Sequence, residues 1–134
     1  MSDVIDVAII AVIRNGLMLC VRKRGTQRFM LPGGKPEAGE TAVQCLAREI
    51  AEELQCTVDV ASLRPLGSFE GVAANEAGRR VRADTFIGEI TGTIELAAEI
   101  DEYRWLPLAG PFDVPLAPLL EDGPLLKTLC AADA

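Results

Sequence analysis

The sequence predicts an α/β protein in which a mixed β-sheet lies between helices. Two observations carry this: β-like runs stand on both sides of one long stretch with helical periodicity, and a second helical stretch closes the chain. No internal repeat or low-complexity segment interrupts the pattern. A chain of 134 residues has the size of a single domain, 1–134, able to bury about two thirds of its unfolded surface.

Residues 4–13 are apolar and β-branched, Asn15-Gly16 is a two-residue turn signal, and 17–24 reads as the returning strand of a β-hairpin. On that strand Met18, Cys20, Arg22 and Arg24 share one face, and Leu19, Val21 and Lys23 the other. Arg22 and Arg24 therefore project together ahead of a glycine-rich loop. They are candidate phosphate contacts, against the plainer reading of a solvated strand end. Phe29 is read as packing rather than stacking on a base. Pro32, Gly33, Gly34, Pro36 and Gly39 then exclude regular structure and let the backbone come close to a ligand.

Thr41 with Gln44 has the spacing of a capping box, so a helix starts there. Val43, Leu46, Ala47, Ile50 and Leu54 form its apolar stripe, and Gln55-Cys56-Thr57 marks its end. At about 100° per residue, Glu49, Glu52 and Glu53 fall within one sector away from that stripe. Like charges so spaced cost the helix roughly 0.2–0.5 kcal/mol per pair, so helix stability does not account for them. A solvated acidic face is one reading; a bound divalent cation is the other. Oxygen ligands without histidine suit Mg²⁺, or Mn²⁺, and point to phosphate-ester chemistry. The absence of histidine also removes the commonest general base and any Ser-His or Cys-His pair, leaving a carboxylate or a metal-activated water for that work.

Beyond the helix, 57–60 reads as a short strand and 63–74 as a longer one, with Pro65 at an edge or bulge. Asn75-Glu76-Ala77-Gly78 turns the chain into a partner strand, 79–90, and Gly92 breaks it before a further strand at 93–96. Arg79, Arg80 and Arg82 near the hairpin tip are read as solvated. An acidic turn at 99–102 runs into an apolar strand whose Trp105 is assigned to the core. The tail, 107–134, is loop with several prolines until Gly123-Pro124 starts a helix through about Cys130, capped by Asp122.

Thirteen basic and twenty acidic residues give a net charge of −7, the wrong sign for binding a nucleic-acid polymer. Small anionic substrates remain possible through a metal. No apolar run is long enough to span a bilayer and Met1-Ser2-Asp3 lacks a basic leader, so a cytoplasmic protein without membrane attachment is expected. Cys20, Cys45, Cys56 and Cys130 have no zinc-site spacing and are read as reduced and mostly buried. Cys45 stands out because it lies one turn before Glu49.

The run GGKPEAGETAVQCLAREIAEELQC, from Gly34 through Glu40 and Arg48-Glu49 to Glu52-Glu53, resembles the signature of the Nudix hydrolases. The resemblance departs at Gln55, where the family has glycine, and at Cys56, where it has an aliphatic residue. That bears on the turn and not on the chemistry. It implies an α/β/α sandwich and a metal-dependent hydrolase that cleaves a phosphoanhydride in a nucleoside diphosphate linked to a further group. Glu49, Glu52, Glu53 and the Gly33 carbonyl would hold the metal, Arg48 would orient Glu40 or the neighbouring glutamates, and Glu53 or Glu99 would be the base. Glu99 would join the metal site by its place six residues ahead of Trp105, as in MutT-like members, with Glu102 as competitor. Arg22, Arg24 and Lys35 are substrate-binding candidates, and Asp122 resembles the position that reads a purine edge. The window Gly71-Val72-Ala73-Ala74 lacks the proline of ADP-ribose enzymes and the tyrosine of diadenosine-polyphosphate enzymes. The expected substrate is thus a purine (d)NTP, giving NMP and pyrophosphate. An ADP-ribose or other nucleotide-derivative pyrophosphatase and a catalytically silent nucleotide sensor are the alternatives, and a monomer or homodimer is expected.

Overall fold

The computed structural model describes residues 3–73, 78–121 and 123–133. Strands β1 (Val4–Ala11), β4 (Gly33–Gly34), β5 (Thr57–Val72) and β6 (Arg80–Thr91) form a mixed sheet in the order β4-β1-β6-β5, with β1 and β6 parallel. Strands β2 (Ile13–Arg14), β3 (Leu17–Lys23) and β7 (Ile100–Pro107) form a second, antiparallel sheet in the order β2-β3-β7. Helix α1 (Ala42–Leu54) and the C-terminal helices α2 (Pro118–Glu121) and α3 (Leu125–Asp133) complete the chain.

The expected mixed sheet is present, but the first hairpin is shorter than its sequence suggested. Asn15 and Gly16 have φ of 53° and 75°, both positive as a tight hairpin turn of this kind requires. They pair only Ile13 with Met18 and Arg14 with Leu17. Beyond fully buried Val12 the chain leaves the hairpin, and β1 pairs with β6 and β4 instead. The apolar run 4–13 thus serves two sheets.

Strand faces alternate between two cores. Ala8, Ile10 and Val12 of the first segment and Leu19 and Val21 of β3 pack with Leu46, Ile50 and Leu54 of α1. Ile9, Ala11, Met18 and Cys20 face the other way and pack with Leu119, Leu125 and Leu129. This is the period-two rule acting on strands covered on both sides. Each such aliphatic side chain contributes roughly 1.5–3 kcal/mol of burial, so α1 is anchored by its stripe.

The capping box at the start of α1 is formed: the Gln44 N–H donates to the Thr41 hydroxyl at 3.1 Å, and the Thr41 N–H to Gln44 Oε1 at 2.9 Å. At the other end the 93–96 segment is not a strand. After Gly92 (φ 104°) its amides turn back to the helix, Glu95 N–H donating to the Leu54 carbonyl and Ala97 N–H to the Glu53 carbonyl, both at 3.0 Å. Orphan helix carbonyls are a stronger demand than strand propensity there. The two strands expected at 57–60 and 63–74 are one, β5, at the edge of the sheet, with register shifts between Asp59 and Arg64 and between Pro65 and Gly67. Helix α2 was not legible among the tail prolines. The 75–77 part of the expected turn lies outside the described residues. Among the described residues no helix is long and apolar enough to cross a membrane.

Gln55 caps α1 in the left-handed region, with φ 55° and ψ 36°. A side chain there costs about 1–2 kcal/mol, whereas glycine is free of that cost but loses some of the gain to unfolded-state entropy. Gln55→Gly is therefore expected to stabilise the protein by up to about 1 kcal/mol. A higher urea midpoint at unchanged m-value would show it; a lower midpoint would mean that the Gln55 side chain's bond to the Glu95 carbonyl matters more than the backbone strain.

Candidate active site

The site is built where the glycine loop meets the end of α1. Gly33 and Gly34 pair with Ile9 and Ala8 at the edge of the mixed sheet. A Cβ on Gly33 would run into the Ala8 carbonyl, and one on Gly34 would lie 2.6 and 2.7 Å from the carboxylate oxygens of Glu49. Backbone requires glycine at Gly33, while at Gly34 a side chain would displace the Glu49 carboxylate from its place.

Arg48 joins loop to helix. Its Nε and Nη2 donate to the two Glu40 oxygens at 2.7 and 2.9 Å, Nη1 to Glu49 at 2.9 Å and to Glu52 at 3.3 Å, and Nη2 also to the Lys35 carbonyl at 3.1 Å. The hydrogen bond to Arg48 is the main cause that lowers the Glu40 carboxyl to about 2. The planar fork suits this task, binding Glu40 with two nitrogens while others reach the helix glutamates.

A cavity of about 450 Å³ opens beside this assembly. Gly33, Gly34, Lys35, Glu49, Glu52, Glu53, Lys23 and Glu99 line it, with Ile5, Val7, Val72, Val81 and Leu119. Ile9 pairs with Gly33, whereas Ile5, further back along β1, pairs with Val81, so the acidic and aliphatic walls lie toward different ends. Glu53 is 7 % exposed, and its Oε1 has no hydrogen-bond partner. Its carboxyl is pushed up to about 8, first by burial, then by the charge of Glu49 and a hydrogen bond with it, against the opposing pull of Lys23. Among the described residues no set of Cys, Asp and Glu closes on one point as a finished metal site; Arg48 holds one oxygen each of Glu49 and Glu52. The donor chemistry nevertheless fits a hard divalent cation. An orphaned, buried carboxylate oxygen beside a second carboxylate on a cavity wall is a group that a cation would satisfy.

The sequence candidates divide. Gly33, Lys35, Glu49, Glu52, Glu53 and Glu99 line the cavity, and Arg48 holds Glu49, Glu52 and the Lys35 carbonyl. Arg22 and Arg24 do not line it. Arg22 lies on the opposite face of β3, bound to Glu102 at 3.2 Å, Asp101 at 3.4 Å and the Thr26 carbonyl at 2.9 Å. Arg24 donates from Nη2 to the Ala98 carbonyl and from its backbone to Glu99 O, so it braces the turn that carries Glu99. Glu102, the competitor of Glu99, is held by Arg22 and Arg104, whose hydrogen bonds depress its carboxyl. Asp122 lies outside the described residues. Cys45 is buried beneath the loop, its thiol donating to the Gly34 carbonyl at 3.4 Å and pushed up to about 11 by burial. Sequence reasoning passed over Lys23. The signal was there: Lys23 continues the Leu19, Val21 row, which is the row that faces α1.

Fold and site together define a hydrolase scaffold that carries an acidic helix face on an α/β/α frame. The chain belongs to the Nudix family: the NUDIX domain profile matches residues 4–123, and the protein is a Nudix hydrolase. Members of that family generally use a divalent metal and act on small nucleotide substrates. Among solved structures it is similar to the ORF135 protein of E. coli, at 27% identity and TM-score 0.73 over 99% of this chain and 93% of that one. It is similar also to the MutT protein of Methanosarcina mazei Go1, at 20% identity and TM-score 0.77 over 98% and 96%. An ADP-ribose pyrophosphatase of Streptococcus suis shares the fold at 17% identity and TM-score 0.72 over 96% and 90%. No curated protein matches significantly.

Glu53 binds its proton more tightly in the folded than in the unfolded chain. In metal-free protein the stability this supplies is complete below pH 4.5 and is lost as pH rises toward 8, where the fold carries a buried charge. The loss is on the order of a few kcal/mol. In EDTA, the melting temperature should fall across that range, and Glu53→Gln should flatten the fall. A profile for Glu53→Gln that parallels the wild type would show that Glu53 does not bear this strain.

Proposed function

We propose that the protein, acting as one catalytic domain over 1–134, hydrolyses nucleoside triphosphates to monophosphate and pyrophosphate. The observation that supports this is the two-ended cavity, with carboxylates and two lysines at one end and aliphatic side chains at the other. A nucleoside phosphate has the same division. The apolar end takes the nucleoside by contact, while Lys23 and Lys35 face the phosphates. A divalent cation, Mg²⁺ or Mn²⁺, held by Glu49, Glu52, Glu53 and the Gly33 carbonyl would polarise the phosphoryl oxygens and acidify the attacking water.

The residues do the rest. The oxygen of water bonds to phosphorus as the bridging P–O bond breaks. The electron pair of that bond leaves with the departing phosphate group, and one proton passes from water to a carboxylate. Glu53 is favoured as acceptor over Glu99, because it presents a buried carboxylate oxygen without a hydrogen-bond partner on the cavity wall beside Glu49. Arg48 acts as a positioning residue, fixing Glu49 and Glu52 without facing the cavity itself. A purine (d)NTP is the preferred substrate in this reading, with Asp122 at the base. The free cysteines, three of them buried, suit a reducing cytoplasm.

Glu53→Gln is expected to keep the fold and lower turnover at least about a hundredfold, since an amide neither balances cationic charge nor takes a proton. Circular dichroism alongside kinetics separates the two effects, and a folded variant with near wild-type turnover would remove Glu53 from the chemistry. Steady-state rates with Mg²⁺ on (d)NTPs, ADP-ribose and dinucleotides test the substrate. A tenfold lead in kcat/KM for ADP-ribose or a dinucleotide would overturn the triphosphate assignment.

A further inference from the structure

A second, smaller pocket of about 50 Å³ adjoins the main cavity at its acidic end. The two share Lys23, Met30, Gly33, Glu53 and Ala117, so the small pocket continues from two of the candidate metal ligands, Gly33 and Glu53. Its further walls add Arg28 and Thr26. We propose that it seats the terminal phosphate of a nucleoside triphosphate, with Arg28 and Lys23 as the cations that hold the leaving pyrophosphate. The inference rests on the reading of the main cavity given above and names the part of the substrate beyond the cleaved bond.

Size decides the class of group. Space of this order takes a few waters, and so one phosphoryl group, but not a sugar bearing its own substituents. Charge agrees, because two of the three charged side chains on its wall are cations. The donors are free for the purpose. Arg28 commits Nη1 to the Leu116 carbonyl at 2.6 Å, while its ion pair with Glu121 is long, at 3.9 Å. Several of its N–H groups therefore stay uncommitted.

The loop that frames the pocket is built to a fixed shape. Thr26 donates to the Lys23 carbonyl from its amide at 3.1 Å and from its hydroxyl at 2.8 Å, and Gly25 supplies φ of 80° between them. Arg22 clamps the Thr26 carbonyl from the other side. The arginine expected to contact phosphate thus shapes the loop, and Lys23 and Arg28 at its two ends face the pocket. Cleavage of a triphosphate between its first and second phosphorus atoms consumes one water and leaves monophosphate and pyrophosphate. The distal phosphorus of the latter occupies the pocket, and a diphosphate substrate leaves it empty.

The test compares wild type, Arg28→Met and Arg28→Lys in Mg²⁺. Calorimetric binding of inorganic pyrophosphate should weaken at least tenfold in Arg28→Met and recover in Arg28→Lys, with monophosphate binding unchanged. In turnover, Arg28→Met should lose at least tenfold in kcat/KM on the triphosphate and little on the matching diphosphate. Unchanged pyrophosphate binding, or equal losses on both substrates and both products, would overturn the proposal and leave Arg28 as a brace on Leu116. Should wild type turn over no triphosphate yet bind pyrophosphate through Arg28, the subsite stands and the proposed reaction falls.

Discussion

One guanidinium sets the geometry on which the site depends. Arg48 stands on the helix, reaches back across the loop to Glu40 and the Lys35 carbonyl, and holds Glu49 and Glu52 with its remaining donors. Without it, loop and helix would meet through apolar contact and the bond of the Cys45 thiol to the Gly34 carbonyl, and Glu49 and Glu52 would lose the donor they share. Its pairs with Glu40 and Glu49 are largely shielded from solvent, so each matters more than an exposed pair would. A lysine could replace the charge but not the fork. The glycines complete the constraint, because the space a side chain would need at Gly34 is already taken by Glu49.

The second organising rule is strand alternation, which decides what each side of the sheets presents. Leu19 and Val21 belong to the core under α1, so Lys23 emerges from that row beside Glu53. Met18 and Cys20 belong to the opposite core, so Arg22 emerges toward Glu102 and Phe29. The charged residues at the strand end are neighbours in sequence and serve different faces. Composition alone favoured the arginines, whereas the apolar row decided for the lysine.

What could be read from the sequence follows the same division between local and distant causes. The capping box, the apolar stripe of α1, the hairpin turn at Asn15-Gly16 and the clustered glutamates are local, and each is present as its spacing implied. The break at Val12 was not legible, because it is forced by pairing of β1 with β6, far along the chain. Nor was the fate of 93–97: its amides satisfy carbonyls at the end of α1, a demand set by the helix and not by the segment's own residues. Of the proposed site, the box residues were readable from spacing, while Lys23 and Arg28 needed the facing of strands and the course of the 24–28 loop.

Glu53 joins stability to function. Its backbone carbonyl is fixed by Ala97 and its side chain is sealed on a cavity wall beside Glu49, so it cannot turn to solvent to escape the repulsion. In metal-free protein a proton removes the buried charge and relieves that repulsion, so the Glu53 carboxyl is pushed up, first by burial and then by Glu49. A cation at the proposed site would do the same work with more charge, and would have to displace that proton to do it. The apolar stripe tolerates the strain because Leu46, Ile50 and Leu54 are fully buried and hold the helix without help from its acidic face. The arrangement therefore keeps the carboxylates together by packing and by Arg48, and leaves their mutual repulsion available to favour a metal.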